Sequence, residues 1–73
     1  MLQFEFDNQG ELAIIVDDNG IDILNYYLDM LKKNKDTHFH LATPSWGGCD
    51  LTENLINKES EIINQIRIQK IKD

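Results

Sequence analysis

Leu2, Phe4 and Phe6 alternate with Gln3, Glu5 and Asp7, and a second apolar run follows from Leu12 to Val16. Period-two alternation is the signature of a half-buried strand. Between the two runs lies Asp7-Asn8-Gln9-Gly10, where Gly10 is free to take a positive φ. The stretch from Leu2 to Val16 therefore reads as an antiparallel hairpin. Leu12, Ile14 and Val16 share one face, while Ala13 and Ile15 make the other face apolar too, so the second strand is expected to be the more central. A hairpin with an apolar face is not stable alone, so the remaining chain must supply a covering layer.

Asp17-Asp18-Asn19-Gly20 breaks the alternation and opens a helix, with Asn19 or Asp18 as cap and Asp22 well placed against the positive end of its dipole. Ile21, Leu24, Leu28 and Leu31 recur at helical spacing, widened by Ile23, Tyr27 and Met30, and predict the buried stripe. Lys32, Lys33 and Lys35 fall in or just past the last turn, where cations suit the negative end. Phe39 and Leu41 then alternate with His38, His40 and Ala42 in a third strand over 37–42, which Pro44 ends. Residues 45–48 read as loop, and 50–55 as a short strand. Ile62 to Ile71 is dense in β-branched residues and reads as a closing strand.

The result is one α+β domain over residues 1–73: a small antiparallel sheet of four to five strands in the order ββαβ(β)β, with one helix packed on one face. A chain of 73 residues buries only about 60% of its unfolded surface, which leaves a modest core and little room for a deep pocket.

Charge is unevenly distributed. The net charge is −6, and Glu5, Asp7, Glu11, Asp17, Asp18, Asp22 and Asp29 all precede the first basic residue, Lys32. Such a half repels phosphate backbones and anionic membranes and attracts basic proteins, although acidity also serves solubility alone. Direct nucleic-acid binding is not expected. The longest apolar run, Leu12 to Val16, is too short to span a membrane, and the amino end lacks a basic stretch followed by an apolar run. With one cysteine there is no internal disulfide, so a reducing compartment, the cytoplasm, is expected.

The chemistry-bearing residue types crowd into His38 to Asp50. His38 and His40 point to one side of a strand, as a ligand pair would, and Cys49 and Asp50 could return to them. The usual zinc spacings are absent, however, and the histidines read as polar strand residues. Cys49 or Ser45 could be drawn beside a histidine, but no nucleophile motif surrounds either. Aligning Gly20 with the invariant glycine of a calcium loop puts Ile15 and Tyr26 where acidic ligands belong. No catalytic residue, metal ligand or cofactor is expected. Trp46 has two readings. Its large apolar area slightly favours a lid over the end of the core. Its setting between Pro44 and Gly47-Gly48 favours an exposed binding anchor. The expected partner-binding residues are Ser45, Trp46 and Gly47, with Asp17, Asp18 and Asp22 as the charged counterpart.

The run His40-Leu41-Ala42-Thr43-Pro44-Ser45-Trp46-Gly47-Gly48, followed by Asp50-Leu51-Thr52-Glu53, resembles the signature of the immunity protein 32 family. The segment from Ile62 to Ile68 is similar to that family's last strand, while Ala42 and Cys49 depart from its pattern. The resemblance covers about a third of the chain. It implies a small bacterial protein, encoded beside a polymorphic toxin, that protects the producing cell by binding the toxin. It transfers no catalytic residue. A basic nuclease is the kind of toxin that the charge suits best. The competing expectation is a structural or regulatory domain that self-associates, as a homodimer, through an open sheet face or edge.

Overall fold

The computed structural model describes residues 1–33 and 37–71. The fold is α+β, and the described residues form five antiparallel strands and one α-helix. Strand β1 (Leu2–Asp7) turns through Gly10, at φ +87°, into β2 (Leu12–Val16), and helix α1 (Asp18–Lys33) follows. Strand β3 (His38–Ala42) leads into a 3-10 turn at Pro44–Trp46, and β4 (Ser60–Ile62) and β5 (Gln65–Gln69) close the described chain. The strands form two sheets, β2-β1-β4 and β3-β5.

Two expectations about how the strands are arranged in the sheets change. The central strand of the first sheet is β1, not β2: Phe4 pairs with Ile14 on one side, and Glu5 pairs with Ile62 on the other. Apolar density on both faces of β2 does not make it central, because the chain returns to β1 and leaves Leu12 and Ile14 about half exposed. The closing strand is also divided. At Ile63-Asn64 the chain passes from one sheet to the other, with Ile63 N–H donating to Phe4 O (2.9 Å) and Thr43 N–H donating to Asn64 O (2.9 Å). The Thr43 hydroxyl adds a 2.8 Å bond to Asn64 Oδ1, so this corner is fixed by side chain as well as backbone.

Helix α1 begins at Asp18, so its cap lies one residue before the expected ones. Asp17 is the capping residue: its carboxylate accepts the Gly20 N–H at 2.8 Å and also meets the Met1 ammonium. Gly20 lies so close to the start of β1 that an added Cβ would sit 1.7 Å from Met1 O. That contact sets the helix's rotation. The inward stripe is Gly20, Ile23, Leu24, Tyr27, Met30 and Leu31, while Ile21 and Leu28 turn outwards, 45% and 47% exposed. Lys32 and Lys33 occupy the last turn as expected, and Lys33 pairs with Asp29 at 2.9 Å. Lys35 lies outside the described residues.

The core is Leu2, Phe4, Leu41 and Leu51, with Val16, Ile23, Tyr27, Ile63, Ile66 and Ile68 packed against it. It joins both sheets, the helix and the segment after the 3-10 turn. No helix among the described residues is long and apolar enough to cross a membrane.

Candidate functional site

Residues 50–55 do not form the expected strand. Backbone serves part of this segment, with Thr52 N–H donating to Leu2 O at 2.9 Å, and side chains of β1 serve the rest. Gln3 and Glu5, expected on a solvent-facing side, are fully buried. Gln3 Oε1 accepts from Thr52 Oγ1 (2.7 Å) and Asn54 N–H (3.1 Å), while its Nε2 donates to Asn54 O (2.7 Å). Glu5 accepts from the N–H groups of Ile56 (2.8 Å) and Asn57 (3.1 Å) and from Asn57 Nδ2 (3.0 Å). Every buried side-chain polar atom among the described residues has a partner. Burial pushes the Glu5 carboxyl upwards. The bonds from Ile56, Gln3 and Asn57 together outweigh it and hold the group below its ordinary value.

This polar layer holds the segment that follows the 3-10 turn, and the turn itself is closed by its own backbone. Trp46 N–H and Gly48 N–H both donate to Thr43 O, each at 2.9 Å, and Gly47 N–H donates to Pro44 O at 3.0 Å. The two glycines do different work. Gly47 adopts φ +83°, which favours glycine, with open space around it. Gly48 crosses its own strand so closely that a Cβ would lie 2.1 Å from Ala42 O. Ser45 N–H donates to Glu53 Oε1 at 3.1 Å, and Leu51 N–H to Ala42 O at 3.3 Å. Tyr27 ties the helix to the same region through a 2.8 Å bond from its hydroxyl to Asp50 Oδ2. That bond, with burial and the Asp50 charge, pushes the Tyr27 hydroxyl up to about 12.

On this braced turn Trp46 is 62% exposed. It is not a lid on the core; Leu51, at 2% exposure, fills that place. Ser45 and Gly47 are exposed beside it. The expected charged residues lie elsewhere, at the start of α1. Asp18 and Asp22 are exposed there. Asp17 is bound to the Met1 ammonium and to Gly20 N–H, which hold its carboxyl below the ordinary value. Among the described residues, no hydrogen bond or ion pair joins these three acids to Ser45, Trp46 or Gly47.

His38 and His40 do share one exposed side of β3, with ring centroids 5.1 Å apart, and lie opposite Gln69 and Arg67. Among the described residues, no three His, Cys, Asp or Glu side chains converge as a metal would need. Cys49 is a free, exposed thiol.

A second surface was not foreseen from the sequence. Leu12 and Ile14 of β2, Leu24 and Leu28 of α1, and Ile66 and Ile68 of β5 border an open apolar groove of about 600 Å³, with the nearly buried Phe4 also lining it. No family model matches this chain, and no curated protein or solved structure matches it either.

Proposed function

We propose that this chain is a non-catalytic binding protein that acts by docking onto another protein. The form we favour is an immunity protein that neutralises a cognate bacterial toxin. The observation that carries the reading is Trp46, exposed on a turn held by its own backbone, by Gly48 against Ala42, and by Glu53. A large aromatic on a pre-organised support loses little freedom on binding, and tryptophan is enriched at binding hot spots. The net charge of −6 suits a basic partner, a nuclease toxin above all, through steering and complementarity rather than through direct contact with nucleic acid. The resemblance of residues 40–53 to the immunity protein 32 family supports the same reading. We place the protein in the cytoplasm, where its single exposed thiol suits a reducing environment.

A second reading, self-association through the sheet, is supported by the half-exposed Leu12 and Ile14 on the outer strand of the first sheet. Co-expression with the product of the adjacent open reading frame separates the two. A stable mixed complex, with cells rescued from that product's toxicity, is the expected result. A homodimer that ignores the neighbour's product would favour the second reading.

A further inference from the structure

We propose that β2 is a docking edge that accepts an extended segment of a basic partner protein as an added strand. The orientation of its backbone is the first ground. Asp17 N–H donates to Met1 O and Asp7 N–H to Glu11 O. Alternation in an antiparallel pair then turns Ala13 and Ile15 towards β1, and Leu12, Ile14 and Val16 away from it. Strand β1 obeys the same parity, since Leu2 O and Phe4 O serve Thr52 and Ile63 on its other side. No strand among the described residues pairs with the outer edge of β2.

The second ground is sequence. Edge strands usually carry a charge, a proline or a bulge that discourages pairing. Leu12-Ala13-Ile14-Ile15-Val16 carries neither a charge nor a proline. The side chains of Leu12 and Ile14, both about half exposed, open into the groove shared with Leu28, Ile66 and Ile68. An added strand would gain backbone bonds from the edge and place alternate apolar side chains beside that groove.

Charge decides the occupant. The apolar run is bracketed by Glu11 and Asp17. A second copy pairing antiparallel about Ile14 would align Leu12 with Val16, but would set Glu11 of one copy opposite Asp17 of the other. Like charges directly opposite destabilise a strand pair, and each copy carries −6 overall. The Met1 ammonium offsets part of the Asp17 charge, and Arg67 also lines the groove, but neither stands beside Glu11. The fitting occupant is therefore a segment of a different protein, apolar at alternate positions with Lys or Arg at its ends. This rests on the reading of the chain as a binder of a basic protein.

The test uses the whole protein and a synthetic peptide of alternating valine and threonine with two lysines at each end. Its two controls carry glutamates in place of the lysines, or N-methyl groups on alternate amides. The lysine peptide is expected to slow amide hydrogen exchange at Leu12, Ile14 and Val16. Both controls are expected to bind at least about tenfold more weakly, as is the lysine peptide to Ile14→Lys, whose fold circular dichroism can verify. Absence of slowed exchange at those three amides overturns the proposal, as does equal binding of the N-methylated peptide. Protection of the same amides by the protein's own dimerisation assigns the edge to a second copy and also overturns it. If the peptide fails while the adjacent gene's product still binds, this edge is wrong and the broader reading stands; if both fail, both fall.

Discussion

Gln3 Nε2 lies 2.6 Å from Glu5 Oε2, both side chains fully buried on one face of β1, and together with Leu2 O, which accepts from Thr52 N–H, they stand in for a strand partner of residues 52–57. The segment has no ladder of its own. Its order comes from an amide and a carboxylate placed two residues apart, so that both point to the same side of the sheet. The turn carrying Trp46 precedes this segment and is bound to it through Glu53 and Leu51.

Gln3→Ala should therefore strand the Asn54 N–H and O, remove one donor from Glu5 Oε2, and leave the Thr52 hydroxyl only its 3.4 Å bond to Leu2 O. The expected loss is about 1–3 kcal/mol, the cost of leaving buried polar groups without partners. Urea denaturation measures it. A variant within about 0.5 kcal/mol of the parent, the range of ordinary surface substitutions, would show that water replaces these bonds freely.

Acid should weaken the fold through Glu5. Its folded value lies below the ordinary 4.5, so its contribution is fully present above that value and is lost as pH falls through the depressed one. Stability should decline as pH drops below about 4.5, and Glu5→Gln should flatten that decline at the expense of stability at neutral pH. Asp17, also depressed, acts in the same direction, so Asp17→Asn is the control. Urea midpoints across the acid range decide the matter. An unchanged acid limb in Glu5→Gln would remove Glu5 as its source.

The helix offers a contrast of neighbours. Leu31 is 5% exposed and Leu28 is 47% exposed. Leu31→Ala should cost about 2–5 kcal/mol and Leu28→Ala about 1 kcal/mol or less. Gly20→Ala should be destabilising despite alanine's better helix propensity, because its Cβ would meet Met1 O. Equal losses at Leu28 and Leu31 would mean that the helix sits in the other rotation.

Much of this fold is legible in the sequence, and the failures share a cause. The hairpin, the helix and β3 follow from local period and turn chemistry. The rotation of α1 does not, because Gly20 sets it by contact with a residue nineteen positions away. The burial of Gln3 and Glu5 depends on amides about fifty residues distant, which no local pattern encodes. Of the candidate site, Ser45, Trp46 and Gly47 are legible as an unusual turn, but the exposure of Trp46 depends on Leu51 taking the core position. The edge of β2 was hidden by its own apolar density, which reads as centrality.

Reversal of Asp18 and Asp22 to lysine should slow association with a basic partner and flatten its salt dependence, with less change in dissociation. Asp17 is better left intact, since it caps α1. Stopped-flow association at low and moderate salt is the check. Unchanged rates at low salt, with the fold preserved, would place steering elsewhere.

The most direct test of the account is Trp46→Ala, with folding stability and affinity for the adjacent gene's product measured on the same protein. Because Trp46 is 62% exposed, stability should change by no more than about 0.5–1 kcal/mol. Affinity should fall by roughly 2 kcal/mol, about thirtyfold. Parental affinity in a folded Trp46→Ala protein would contradict the account and leave the braced turn as architecture alone.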